Sequence, residues 1–215
     1  MSFDVICFDC DSTLSTVEGI DELARKSGAF DQVAALTNQA MNGEIALQEV
    51  YGKRLQLIKP DKQAIDWLAQ LYIMQMVDDV DTVISRLQQA GKDIHIISGG
   101  IRQAILPLAE KLNIPAAKVH AVNIVFDDEG RYQGFDTQSP LARSGGKAEI
   151  CKQLSADKKT AMIGDGNTDL EAKHAGAVVI GFGGVAARER VKQEADYFVD
   201  GPSLRPVLDL LMNKL

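Results

Sequence analysis

A chain of 215 residues, 46% apolar and 25% charged, has enough apolar material for one main domain plus an insertion, and this composition excludes disordered, collagenous and coiled-coil classes. A formal charge of −7 without a run of bases argues against a nucleic-acid partner, and no apolar stretch approaches the ~20 residues that span a membrane. The three cysteines are an odd count in a chain that opens without a basic and then apolar leader, so reduced thiols and a cytoplasmic location are expected.

In chain order, the apolar run Val5 to Phe8 predicts a first strand. From about Ser15 to Met76 only helical periodicities follow, such as Ile20-Leu23-Ala24 and Val33-Leu36-Thr37-Ala40. A helical insertion over residues 15–76 is therefore expected inside a core made of residues 1–14 and 77–215. Next come a helix over Val80 to Ala90, stopped by Gly91, a strand over Ile94 to Ile97 and a helix over Arg102 to Leu112. Val119 to Phe135 alternates on both sides of Asp128-Glu129-Gly130, which predicts a β-hairpin with a solvated turn, since the acidic spacing fails the EF-hand pattern. The remainder reads as helix Lys147 to Leu154, strand Thr160 to Ile163, helix Thr168 to Ala175, strand Val178 to Ile180, helix Ala186 to Gln193, strand Tyr197 to Val199 and helix Leu204 to Leu211. Such alternation predicts an α/β fold: a doubly wound parallel sheet with a small helical insertion and a β-hairpin insertion.

Ligands of an open parallel sheet bind beyond the carboxyl ends of its strands, and the polar residues there form a coherent set. The first strand delivers Asp9 and Asp11, the second Ser98-Gly99-Gly100, and the third Gly164-Asp165-Gly166-Asn167-Thr168-Asp169, while Lys147 opens the preceding helix behind Ser144-Gly145-Gly146. Carboxylate oxygens select a hard ion, so Asp9, Asp165 and the backbone carbonyl of Asp11 are the expected ligands of Mg²⁺. Asp9 has the chemistry of a nucleophile that passes through an aspartyl-phosphate, and Asp11, two residues on, that of the acid and base serving the leaving oxygen and water. Lys147 would offset negative charge, and Ser98 with the amides of Gly99 and Gly100, at an expected helix N-terminus, would hold phosphoryl oxygens.

Singly, each element has a blander reading: Asp after a strand is usually a turn or cap residue, Gly-Gly a tight turn, and a lysine at a helix start a solvated group that opposes the dipole. Their joint order is what makes coincidence improbable. Gly181-Phe182-Gly183-Gly184-Val185-Ala186 matches a dinucleotide fingerprint, yet too little chain follows Asp200 to complete such a fold, so a structural βα turn is expected. Cys7 and Cys10 have C-x-x-C spacing, but Cys7 lies inside an apolar strand; like Cys151, it is expected to be a small buried residue.

The four motifs resemble those of the haloacid dehalogenase superfamily, and Asp9-Cys10-Asp11-Ser12-Thr13, Glu18-Gly19-Ile20-Asp21-Glu22-Leu23, Ser98-Gly99-Gly100, Ser144-Gly145-Gly146-Lys147 and Gly164 to Asp169 resemble its phosphoserine phosphatase family over nearly the whole chain. The resemblance implies a Rossmann-like core with residues 15–76 as its small helical cap domain, and Mg²⁺-dependent hydrolysis of O-phosphoserine to serine and phosphate, the end of serine biosynthesis. It also implies substrate contacts from Glu18, Met41 and Arg54 of the cap, with Asn167 and Thr168 beside the substrate and Asp169 behind the metal ligands. Glu18 suits the substrate ammonium, Arg54 its carboxylate in a bidentate fork, and Met41 an apolar wall. Leu47 departs from the family, which has Phe there. The catalytic strand begins at Asp4, so the regulatory domain of longer members is expected to be absent. A phosphotransferase using another small alcohol such as homoserine, a phosphatase for another small phosphate and a non-enzymatic phospho-acceptor are the alternatives, the last disfavoured by the long insertion after Asp11.

Overall fold

Every residue of β1 (Val5–Phe8) is buried, which a strand achieves only with neighbours on both edges and helices on both faces. The computed structural model, which describes residues 3–41, 47–156 and 158–212, places β1 in that position. Its other strands are β2 (Asp93–Ile101), β3 (Val119–Val122), β4 (Ile124–Phe126), β5 (Tyr132–Phe135), β6 (Thr160–Gly164), β7 (Val178–Phe182) and β8 (Tyr197–Val199). Six of them form one parallel sheet in the order β3-β2-β1-β6-β7-β8, and β4 and β5 form a separate antiparallel hairpin. The order reverses direction at β1, with Phe8 level with Ile96 of β2 and Ile163 of β6. Asp9, Ser98 and Asp165 therefore emerge one or two residues later on a common edge, at the switch point where such sheets open a crevice.

Between β1 and α5 (Val80–Gln89) lie four helices: α1 (Gly19–Ser27), α2 (Phe30–Met41), α3 (Leu47–Ile58) and α4 (Lys62–Met74). The chain leaves and returns side by side, with Thr16 N donating to Gln75 O at 2.8 Å and Val77 N to Leu14 O at 3.1 Å. Asp61 caps α4, its Oδ1 accepting from Ala64 N at 2.7 Å, and Ile65, Leu68, Ala69 and Tyr72 form the buried face at the spacing a 3.6-residue period requires. That helix packs against α6 (Arg102–Lys111) of the core. The hairpin meets the insertion from the other side: the Tyr51 and Phe135 rings lie 5.2 Å apart, and Lys62 N donates to Gly130 O at 2.9 Å. The remaining helices are α7 (Gly146–Ser155), α8 (Asn167–Leu170), α9 (Glu189–Glu194) and α10 (Arg205–Met212).

Three expectations change. Val119 to Val122 is not hairpin but the edge strand of the main sheet, paired in parallel with β2; only the segment from Ile124 onward folds back. Ser98-Gly99-Gly100 is not a helix N-terminus, because the pairing of Ile101 with Val122 carries β2 through Ile101 before α6 starts. Instead of one helix from Thr168 to Ala175, α8 is followed by a 3₁₀ segment, Glu171–Ala175. The dinucleotide lookalike is a packing device, since a Cβ on Gly184 would collide with the Phe182 ring and the Gly201 carbonyl. Cys7, Cys10 and Cys151 are free and buried. Among the described residues no helix is long and apolar enough to cross a membrane.

Candidate active site

At the edge defined by β1 and β6, one ammonium joins two carboxylates. Lys147, in the first turn of α7, is 5% exposed and places Nζ 2.6 Å from both Asp9 Oδ2 and Asp169 Oδ1. Asp169 is fully buried and its other oxygen accepts from Gly166 N at 2.9 Å; Asp9 Oδ1 accepts from Cys10 N at 2.7 Å. Burial alone would drive the lysine to its neutral form, but Asp169 and Asp9 outweigh it and hold the ammonium well above its usual range. Burial pushes the Asp169 carboxyl up, against the pull of Lys147.

One oxygen each from Asp9, Asp165 and Asp169 lies within 4.8 Å of the others. Burial and the charge of Asp9 push Asp165 up to about 6, although Arg188 Nε donates to its Oδ2 at 3.0 Å. Carboxylates crowded this way repel one another, and a hard divalent cation is what such an oxygen set accommodates. Both oxygens of Asp169 are engaged by Lys147 and Gly166, and both oxygens of Asp9 by Lys147 and Cys10, whereas Arg188 engages one oxygen of Asp165. Asp11 stands outside this group: its Oδ1 accepts from Tyr72 Oη at 2.5 Å and its Oδ2 from Gly19 N at 2.9 Å. Burial, with Glu18 adding, pushes the Asp11 carboxyl up to about 8.

Core and insertion share a cavity of about 280 Å³. From the core, Asp9, Asp11, Ser98, Gly99, Gly100, Lys147, Asp165 and Thr168 line it; from the insertion, Glu18, Tyr51 and Arg54. Ser98 is buried and its Oγ accepts from Gly100 N at 3.0 Å. Glu18 Oε1 accepts from Ser12 Oγ at 2.6 Å and lies 3.5 Å from Arg188 Nη2. Among the described residues, Arg54 Nε and Tyr51 Oη are buried without a hydrogen-bond partner, and burial depresses the Arg54 guanidinium.

Of the residues picked out from sequence, Asn167 is exposed and does not line the cavity, and Met41 ends α2 with its side chain, like that of Leu47, outside the described part. Sequence reasoning missed Tyr51, Tyr72 and Arg188. Only Arg188 left a local trace, as a cation at the N-cap of α9 where the helix dipole disfavours it.

This geometry agrees with what the chain is similar to. The model of the haloacid dehalogenase-like hydrolases matches residues 3–176. Phosphoserine phosphatase of Bos taurus is 39% identical over 201 residues, 92% of this chain and 89% of that protein. A phosphoserine phosphohydrolase-like protein from Francisella tularensis superposes with a TM-score of 0.83 at 28% identity, covering 99% of this chain and all of that one. A phosphoserine phosphatase solved with an analogue of its phospho-aspartyl intermediate gives a TM-score of 0.77 at 26% identity, covering 98% of this chain and 100% of that one. With strand-end carboxylates, a buried lysine and relatives matched along nearly their whole lengths, the chain belongs to the haloacid dehalogenase-like hydrolases, in their phosphoserine phosphatase family.

Proposed function

We propose that the chain hydrolyses O-phosphoserine to serine and phosphate, with residues 15–76 acting as a cap over a core of residues 1–14 and 77–215. The observation that carries this reading is the cavity itself. Lys147 and the Ser98 to Gly100 segment line it from the core, while Glu18 and Arg54, whose Nε is buried without a hydrogen-bond partner among the described residues, line it from the insertion. Phosphoserine is the complement: a phosphate for the first set, an ammonium for Glu18 and a carboxylate for Arg54.

The mechanism follows from these groups. Asp9 attacks phosphorus, forming an aspartyl-phosphate as the bond to the serine oxygen breaks. Asp11 gives its proton to that departing oxygen, and in the second step accepts one from the water that attacks the aspartyl-phosphate. Lys147 neutralises charge shared by Asp9 and the phosphoryl oxygens, and Ser98, oriented by the Gly100 amide, holds those oxygens together with the Gly99 amide. When bound by Asp9, Asp165 and the Asp11 carbonyl, Mg²⁺ supplies positive charge against the phosphoryl group. The laced strands near Ser15 and Val77 suit a hinge for cap closure. Free, buried cysteines suit a reducing compartment, and the reading assigns the reaction to the cytoplasm.

Phosphate release from a panel of phosphorylated amino acids and simple alcohol phosphates, with Mg²⁺ and with chelator, tests it. O-phosphoserine is expected to have the highest kcat/KM, with activity lost in chelator and in Asp9→Asn. A better substrate lacking the amino acid, or phosphorylated homoserine appearing in place of free phosphate when homoserine is added, overturns the assignment.

A further inference from the structure

We propose that Tyr72 is a positioning residue for the acid and base Asp11, tying proton transfer at the sheet edge to the seating of α4. Tyr72 is fully buried on the inner face of α4, and its hydroxyl lies 2.5 Å from Asp11 Oδ1. Gly19 N, at the start of α1, holds Oδ2 at 2.9 Å. Both oxygens of a core residue are thus oriented by groups of the helical insertion, one from each of its ends. Asp11 lies beyond the end of β1 at Phe8, outside the ladder that fixes that strand. Gly19 carries the imprint of the arrangement, because a Cβ there would overlap the Tyr72 hydroxyl, which then could not reach Asp11.

Tyr72 does not line the cavity, so its removal leaves substrate contacts in place. What changes is the aim of the Asp11 carboxyl at the ester oxygen. As the P–O bond breaks, the Asp11 proton moves to the serine oxygen and leaves Asp11 as carboxylate; water later returns a proton as its oxygen bonds to phosphorus and the Asp9–phosphorus bond breaks. A serine alkoxide is a poor leaving group that needs this proton, whereas nitrophenolate departs without one. The inference rests on the acid and base role given to Asp11 above.

The experiment compares Tyr72→Phe with the unaltered protein by rapid quench, following the first turnover of O-phosphoserine and of p-nitrophenyl phosphate. A hydrogen bond to an acid that supplies only part of the catalysis is worth roughly ten- to a hundredfold. We expect that loss in the phosphoserine transfer step, a KM within about twofold, and a nitrophenolate burst slowed less than about threefold. Leu68→Val, a packing change on the same buried face of α4, should slow neither burst selectively. If Tyr72→Phe is poorly folded, Gly19→Ala displaces the same hydroxyl from the opposite side and should show the same selective loss. Equal slowing of both esters, or none on either, overturns the proposal. Failure of the substrate assignment is read separately, as weak phosphoserine turnover by the unaltered protein, in which case the comparison uses the alkyl ester it prefers.

Discussion

The cavity has two walls built on opposite electrostatic plans. On the core wall the charged groups are paired with one another: Lys147 touches Asp9 and Asp169, Asp169 takes Gly166 N, and Asp165 takes Arg188, while Asp11 is held by Tyr72 and Gly19. On the wall from the insertion, Arg54 Nε and Tyr51 Oη are buried without partners among the described residues. Groups that must hold one geometry through a reaction gain from mutual pairing, because they need no reorganisation when charge develops. Groups that must recognise a ligand gain from being left short of one hydrogen bond, since the ligand then restores what folding removed. Under the proposed function the first wall serves the chemistry and the second the selection.

Breaking the core wall should have the largest effect. Lys147→Met keeps the stem of the side chain but strands two buried carboxylates, and removing one partner of a buried pair costs about 3–5 kcal/mol. Thermal unfolding should register that loss, and phosphate release should fall below detection even at temperatures where the variant stays folded. A variant with unchanged melting temperature would mean that Asp9 and Asp169 do not depend on the ammonium, and the contrast between the walls would fail.

The matching change on the other wall should leave folding intact. Arg54→Met removes a guanidinium whose burial outweighs the acidic groups near it, so the melting temperature should hold or rise. Activity toward O-phosphoserine should still drop, by roughly 10²- to 10³-fold in kcat/KM, the scale of an uncompensated charged contact, while an aryl phosphate without a carboxylate loses little. Equal losses on both esters would show that Arg54 supports the site as a whole and recognises no carboxylate.

These two walls were also unequally legible in the sequence. Asp9, Asp165 and Lys147 follow apolar runs or open a helix directly, so local pattern places them, and β-pairing then needs only the order of the strands to bring them together. The helical nature of the insertion was readable from its period, but its inward face was not. Tyr72 is 61 positions from Asp11, and Arg188 is 170 from Glu18; such pairs depend on how α4 and α9 seat against the core. Val119 to Val122 was misread for a related reason: alternation in so short a run is the same for a hairpin strand as for the edge of a parallel sheet, and only pairing with β2 distinguishes them.

Tyr51 offers the finest test of the contrast. Its ring packs against Phe135 of the hairpin at 5.2 Å, and its hydroxyl is buried on the cavity side without a partner among the described residues. Tyr51→Phe preserves the ring contact and deletes only the oxygen. Were that oxygen ordinary structure, its loss would cost the ~1 kcal/mol of a hydrogen bond and lower the melting temperature. An oxygen kept for ligand should do the reverse: the variant unfolds at an equal or slightly higher temperature because an unmet polar group has left the interior, while KM for O-phosphoserine rises a few-fold at nearly constant kcat. Saturation kinetics and a thermal scan on one preparation separate the cases. A lower melting temperature with unchanged KM would move Tyr51 from the selecting wall to the plain scaffold, leaving Arg54 and Glu18 to carry recognition.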